Sequence, residues 1–332
     1  MKIVNVIKGV RQFYVYNNNA TIVYADRVVV GSVHLEATED DDFFVRNGVL
    51  TKSVLNAPMS YKQYLFNEDK FEEEACQYAR NFYFDKNSWL STVYSDGIIR
   101  VALTINKEKF LFDIAAKKHP NVPHYSFQHG VLMLTSNNSI LFYAKYGERM
   151  WEYVEDNASL KINSGCIPVV DDVVVVISED CAVAEKIQGF NIHTGKKLWE
   201  ISNAEEIVCP NTFFVGEDQY LYGCCTECAY YDEESKLIMT KLNPKNGNTE
   251  SIDVGMGFSA MSYDVTMHGR QLYYTDNRRG NEIGVIDVDK RELIERVPLN
   301  IKKKVSIGAP VVTDDKVYVF ISDLQELRVF EK

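Results

Sequence analysis

Three cysteines fall close together in the segment at residues 220–231, YLYGCCTECAYY: Cys224, Cys225 and Cys228. Thiolates so spaced could hold a soft metal, and zinc asks for four sulfur or nitrogen ligands in a tetrahedron. The nearest further cysteines are Cys209 and Cys181, so a site completed by Cys209 is the metal reading of this segment. Adjacent residues of a strand point to opposite faces, and cysteine is among the residue types most often buried. Buried thiols are therefore the preferred reading, and neither a metal nor a cofactor is expected. His119, His124 and His129 recur at intervals of five in a segment with two prolines. That interval matches neither a helix face nor a strand face, and no carboxylate stands beside them to complete a facial triad.

Two acidic runs remain. Glu39-Asp40-Asp41-Asp42 lacks the alternating ligand spacing and central glycine of a calcium loop, so it reads as a solvated turn. Glu72-Glu73-Glu74 lies within residues 67–85, NEDKFEEEACQYARNFYFD. There Phe71, Ala75, Tyr78, Ala79 and Phe82 recur at three and four, which predicts an amphipathic helix inserted into the chain. Both runs, Glu39, Asp40, Asp41, Asp42 and Glu72, Glu73, Glu74, are candidates for contact with a basic protein partner. Phosphate-binding glycine loops, nucleophile elbows and zinc-protease helices have no counterpart in the sequence.

The elements around these residues are strands. Short runs rich in Val, Ile, Tyr and Phe alternate with turns of Gly, Asn and Asp. They group into units at residues 24–55, 89–115, 126–154, 168–201, 213–254, 265–299 and 309–332. Seven units in 332 residues is about 47 residues each, near the length of a four-stranded propeller blade. The last unit stops after its third strand. The N-terminal segment, at Lys2–Ile7 or Phe13–Tyr16, is expected to supply the fourth and close the ring, which removes exposed sheet edges. The predicted fold is thus an all-β, seven-bladed β-propeller in a single domain spanning residues 1–332, with a helical insertion at 67–85.

Composition narrows the partners. A net charge of −11 and a pI near 5.2 disfavour nucleic-acid binding, which asks for clustered Lys and Arg. The one basic run, Lys302-Lys303-Lys304, reads as a solvated strand end. An acidic surface suits a basic protein. No apolar stretch approaches the length of a membrane span. The N-terminus, MKIVNVIKGVRQF, has no signal-peptide pattern. With seven cysteines read as reduced thiols, the expected location is the cytoplasm and the expected state is a monomer.

At residues 189–201, GFNIHTGKKLWEI, and 308–320, GAPVVTDDKVYVF, the chain resembles the pyrroloquinoline-quinone-type propeller repeats. Ala309-Pro310-Val311-Val312 with Val317-Tyr318-Val319 match the first half of that repeat, and Thr194-Gly195 with Trp199 match the second. Ile167-Pro168-Val169-Val170 and Gly147 with Trp151 are weaker copies. The resemblance implies a propeller in which the Trp and Gly dock one blade on the next. Quinoprotein dehydrogenases of this type also carry adjacent cysteines, as at Cys224-Cys225, together with calcium ligands that have no counterpart here; the cofactor is not expected. Outer-membrane assembly lipoproteins share similar repeats, and the absence of a lipoprotein signal speaks against that role.

The expected function is a non-enzymatic protein-binding propeller, either a scaffold in a complex or an immunity-type protein that neutralises a basic toxin. The alternative is a ligand-binding or enzymatic propeller (hydrolase, lyase or quinone-dependent oxidoreductase) that uses the central funnel.

Overall fold

The computed structural model of the chain describes all residues except 47–48, 57–59, 75–80, 86, 116–123, 128–129, 136–137, 145, 164–166, 181–182, 203–212, 228–235, 257–264, 277–280 and 302–304. It packs as two compact units, Gly9–Glu152 and Met1–Lys8 with Tyr153–Lys332. Each unit contributes four antiparallel sheets of the blade type.

In the first unit, blade 1 runs from Gln12–Tyr16 to Val33–Glu36 and blade 2 from Asp41–Arg46 to Lys70–Glu74. Blade 3 runs from Asn81–Asp85 to Glu108–Ala115 and blade 4 from His124–Phe127 to Arg149–Val154. In the second, blade 5 runs from Lys161–Ile162 to Lys197–Ser202, blade 6 from Phe214–Val215 to Thr249–Met256, and blade 7 from Val265–His268 to Glu292–Pro298. Blade 8 joins Val311–Val312, Lys316–Ile321 and Glu326–Glu331 to the N-terminal strand Lys2–Lys8. The last blade does take its fourth strand from the N-terminus, as expected, while Gln12–Tyr16 opens blade 1.

The architecture is therefore of the β-propeller kind with eight blades, four in each unit, which corrects the expected seven; seven blades have four strands, and blade 5 has a fifth, Val169–Val170, that also pairs with Val173–Asp180. The cause lies in blade 1, which fits four strands of four or five residues into 12–36. The apparent unit at 24–55 joins the last two strands of this blade to the first two of blade 2. Eight blades in 332 residues is about 42 each, still within the usual repeat length.

The predicted helix at 67–85 is also corrected. Asn67 ends one strand, Lys70–Glu74 is the next, and Asn81–Asp85 opens blade 3; no α-helix occurs among the described residues. Phe71 packs with Phe43 and Phe66 in the core between blades 1 and 2. Phe82 belongs to another sheet, so their helical spacing is a coincidence across a blade boundary. Ala75, Tyr78 and Ala79 lie outside the described residues.

Strand chemistry follows position. Central strands are apolar on both faces because neighbouring blades cover both: Gln271–Asp276 of blade 7, between blades 6 and 8, is buried through its last five residues. Outer strands alternate, as Glu292–Pro298 does from end to end. The cores lie between blades, for instance Val175, Ile177 and Ile187 with Phe213 and Leu221.

The turn between the third and fourth strands carries the repeat signature. In blade 5, Asn191 Oδ1 accepts hydrogen bonds from the backbone N–H of His193 and Thr194, and Gly195 closes the turn at φ 66°. Asn243 with Gly247 at φ 76°, and Asp287 with Arg291 at φ 61°, repeat this in blades 6 and 7. Trp199 Nε1 donates to Pro244 O at 2.7 Å, and a Cβ on Gly247 would meet the Trp199 ring at 2.7 Å. The Trp and Gly dock one blade on the next, as the repeat resemblance implies. A Cβ on Gly147 would likewise stand 2.5 Å from Phe112 Cβ, so Phe112 takes in blade 3 the place that Trp199 holds in blade 5.

Candidate partner-binding groove

The acidic residues singled out in the sequence all belong to blade 2 or to the loop entering it, and they divide by environment. Glu39 and Asp40 are exposed. Asp41 is buried; its Oδ2 accepts the Thr38 N–H at 2.9 Å and lies 3.5 Å from Lys52 Nζ. The Arg11 guanidinium gathers the carbonyls of Thr38, Glu39 and Asp41 at 2.7–3.1 Å, which sets the loop. Asp42 is half-buried and accepts from Gln12 Nε2 at 3.3 Å. The loop is thus held from within.

Glu72 and Glu73 are exposed on the outer strand. Lys70 Nζ stands 2.6 Å from Glu72, and Lys62 Nζ stands 3.4 Å from Glu73. The hydrogen bond from Lys70 lowers the Glu72 carboxyl below its usual range, and the same bond raises Lys70. Burial raises the Glu74 carboxyl. The two acidic runs do not converge, because they occupy the first and fourth strands of one sheet, about 14 Å apart at the usual strand spacing.

What the fold does bring together is a groove at the hairpin turns of blades 1 and 2. It encloses about 330 Å³. Tyr16 and Phe66, edge to face at 5.6 Å, form its floor with Val30 and Val33. Exposed residues at three hairpin turns complete its lining: Asn17 and Asn19, Gly31 and Ser32, and Glu68 and Asp69. The turns are of the two-residue hairpin kind that needs positive φ. Asn17 and Asn18 take 48° and 59°, and Glu68 and Asp69 take 46° and 66°.

Glu68 and Asp69 were not singled out in the sequence, because the helical spacing absorbed them. The overlooked signal is the polar run Asn67-Glu68-Asp69-Lys70 directly after Tyr64-Leu65-Phe66, which fits a hairpin turn. Among the described residues no Lys or Arg makes an ion pair with either carboxylate. Two carboxylates lining one groove with two aromatic rings suit a cationic side chain, to which carboxylates offer charge-assisted hydrogen bonds and aromatic rings a cation–π contact.

The cysteines follow another course. Cys224 is fully buried in the core between blades 6 and 7. Cys225 follows it in the strand Leu221–Glu227, its side chain outside what is described, and Cys228 lies outside the described residues. Among the described residues no group of three His, Cys, Asp or Glu is placed to hold a metal, and no helix is long and apolar enough to cross a membrane.

Comparison with known proteins places the fold. No family model and no curated protein matches the chain. Among solved structures it is similar to the crystal structure of BamB from Moraxella catarrhalis, with a TM-score of 0.58 and 13% identity over 99% of both chains. It is also similar to Raptor from Chaetomium thermophilum, with a TM-score of 0.51 and 9% identity over 99% of this chain and 29% of that one. The likeness is one of fold: a BamB-like propeller of the repeat type seen in the sequence.

Proposed function

We propose that the chain is a protein-binding propeller whose groove on blades 1 and 2 receives a Lys or Arg side chain from a basic partner. The observation that carries this reading is the pair Glu68 and Asp69, exposed and without an ion pair among the described residues, lining one groove with Tyr16 and Phe66. Rigid hairpin turns hold the pair in place, so little ordering entropy opposes docking. The net charge of −11 adds long-range attraction for a basic protein and speeds encounter. Exposed Glu72 and Glu73 extend the acidic surface along the same blade. Within this reading, the partner is a basic toxin held inactive in the cytoplasm, or a basic subunit of a larger assembly.

The test is capture of partners from lysate of the native host by the tagged chain at low and high salt. A parallel capture uses the variant Glu68→Asn/Asp69→Gly. Asn-Gly is the best two-residue hairpin pair, so the variant removes two charges and keeps the turn. A basic partner recovered at low salt, lost at high salt and lost from the variant is the expected result. Equal recovery by the variant, or no partner at either salt, overturns the reading.

A further inference from the structure

The N-terminal strand Lys2–Lys8 reads Lys-Ile-Val-Asn-Val-Ile-Lys and forms the outer edge of blade 8. One side pairs with Glu326–Glu331; among the described residues no strand pairs with the other. Ile3, Val4 and Val6 are 39%, 48% and 42% exposed, although β-branched residues gain their strand preference by packing. An open edge of this kind is a template for a further strand.

Charge decides which strand. In the observed register Lys2 faces Glu331 and Lys8 faces Glu326. The neighbour, Glu-Leu-Arg-Val-Phe-Glu, is therefore an acid-flanked segment matched to a lysine-flanked one, and opposite charges across strands are stabilising. A second copy of the chain pairing edge to edge about a two-fold axis through Asn5 would set Lys2 against Lys8 at both ends. Like charges directly opposite are destabilising, so the lysines select against self-pairing and for an acid-flanked strand. A bulge between Ile3 and Asn5 lets Asn5 Oδ1 accept the Val6 N–H at 2.8 Å, and an incoming strand exchanges that one bond for ladder bonds.

We propose that the free edge of Lys2–Lys8 binds, by strand addition, an extended partner segment carrying apolar residues between two acidic ones. This surface is independent of the groove and of the reading built on it.

The test uses the whole chain and two labelled peptides, Glu-Leu-Arg-Val-Phe-Glu and its charge-swapped form Lys-Leu-Glu-Val-Phe-Lys, titrated by fluorescence anisotropy. The acid-flanked peptide is expected to bind at least tenfold more tightly and to slow hydrogen exchange at the Lys2–Lys8 amides. In the variant Lys2→Glu/Lys8→Glu the preference is expected to reverse. The peptide comparison on the unaltered chain stands even if that variant loses its edge strand. Equal binding of the two peptides, no binding, or binding without protection of Lys2–Lys8 overturns the proposal. So does concentration-dependent dimerisation lost on Lys2→Glu/Lys8→Glu, which would make a second copy the occupant.

Discussion

Replacing Glu155 by Gln tests how the second unit is held together. Glu155 follows the last strand of blade 4 and is buried against blade 5. Its carboxylate accepts from Ser178 Oγ and Lys186 Nζ, both at 2.6 Å, from Tyr153 Oη at 2.8 Å and from the Asn157 N–H at 3.2 Å. Its side chain has no exposed surface and that of Lys186 is 15% exposed. Burial alone would raise the carboxyl, but the bonds from Lys186, Ser178 and Tyr153 outweigh it and lower the group from 4.5 to about 2.

A carboxylate lowered in the folded state contributes stability that is complete above its unfolded value and lost as pH falls through the folded one. The window here runs from pH 4.5 down to about 2. That span corresponds to about 3 kcal/mol at neutral pH. Breaking a buried pair by removing one partner costs about 3–5 kcal/mol, an independent estimate of the same size. Urea unfolding of Glu155→Gln, followed by circular dichroism, should therefore show a loss of about 3 kcal/mol at pH 7 and roughly half that at pH 3. The double variant Glu155→Leu/Lys186→Met should recover much of the loss, because no charge is left buried alone. A loss below about 1 kcal/mol, or one that does not shrink at low pH, would refute the view that this ion pair is a working part of the core.

Two further perturbations follow from the turns. Gly247→Ala places a Cβ 2.7 Å from the Trp199 ring at φ 76°, whereas Gly269→Ala has φ 58° and nothing within 4 Å. The first should lower stability by about 2–4 kcal/mol and the second by about 1 kcal/mol, read as thermal midpoints; equal losses would remove the blade-docking role of Gly247. Arg11→Ala releases the carbonyls of Thr38, Glu39 and Asp41 and should speed cleavage after Glu39 by a glutamate-specific protease. Unchanged cleavage would mean that the loop is held by Asp41 without Arg11.

The features legible in the sequence are those in which a residue acts on its near neighbours. The Asn that accepts backbone N–H bonds, the Gly at positive φ and, in blade 5, the Trp that follows lie within ten residues of one another, so the closing turns of blades 5 and 6 were legible, although the strand Lys161–Ile162 of blade 5 lies outside the unit at 168–201. Fully apolar central strands and alternating outer ones were legible for the same reason, since each pattern is a local record of how many faces are covered. The truncated last unit was enough to anticipate a fourth strand from the N-terminal segment, but the choice between Lys2–Ile7 and Phe13–Tyr16 was left to the pairing of distant strands.

Blade number and the helix were misread where local patterns compete. Blade 1 is compact enough for its halves to be assigned elsewhere, and Phe71 and Phe82 mimic a helical face although different sheets own them. Only pairing between distant strands could settle this, because the burial of Phe71 against Phe43 and Phe66 outweighs any local helical preference. The same holds for the sites. Sequence determined that the chain is acidic and where its carboxylates lie along it. Tertiary structure decided their environments: Asp41 is buried and spent on its own loop, and Glu155 meets Lys186 thirty-one residues away. It also set Glu68 and Asp69, on a hairpin turn, in one groove with Tyr16 and Phe66. A carboxylate's role depends on which cations and donors come within about 3 Å, and across blades that distance is set by the packing of sheets rather than by position in the chain.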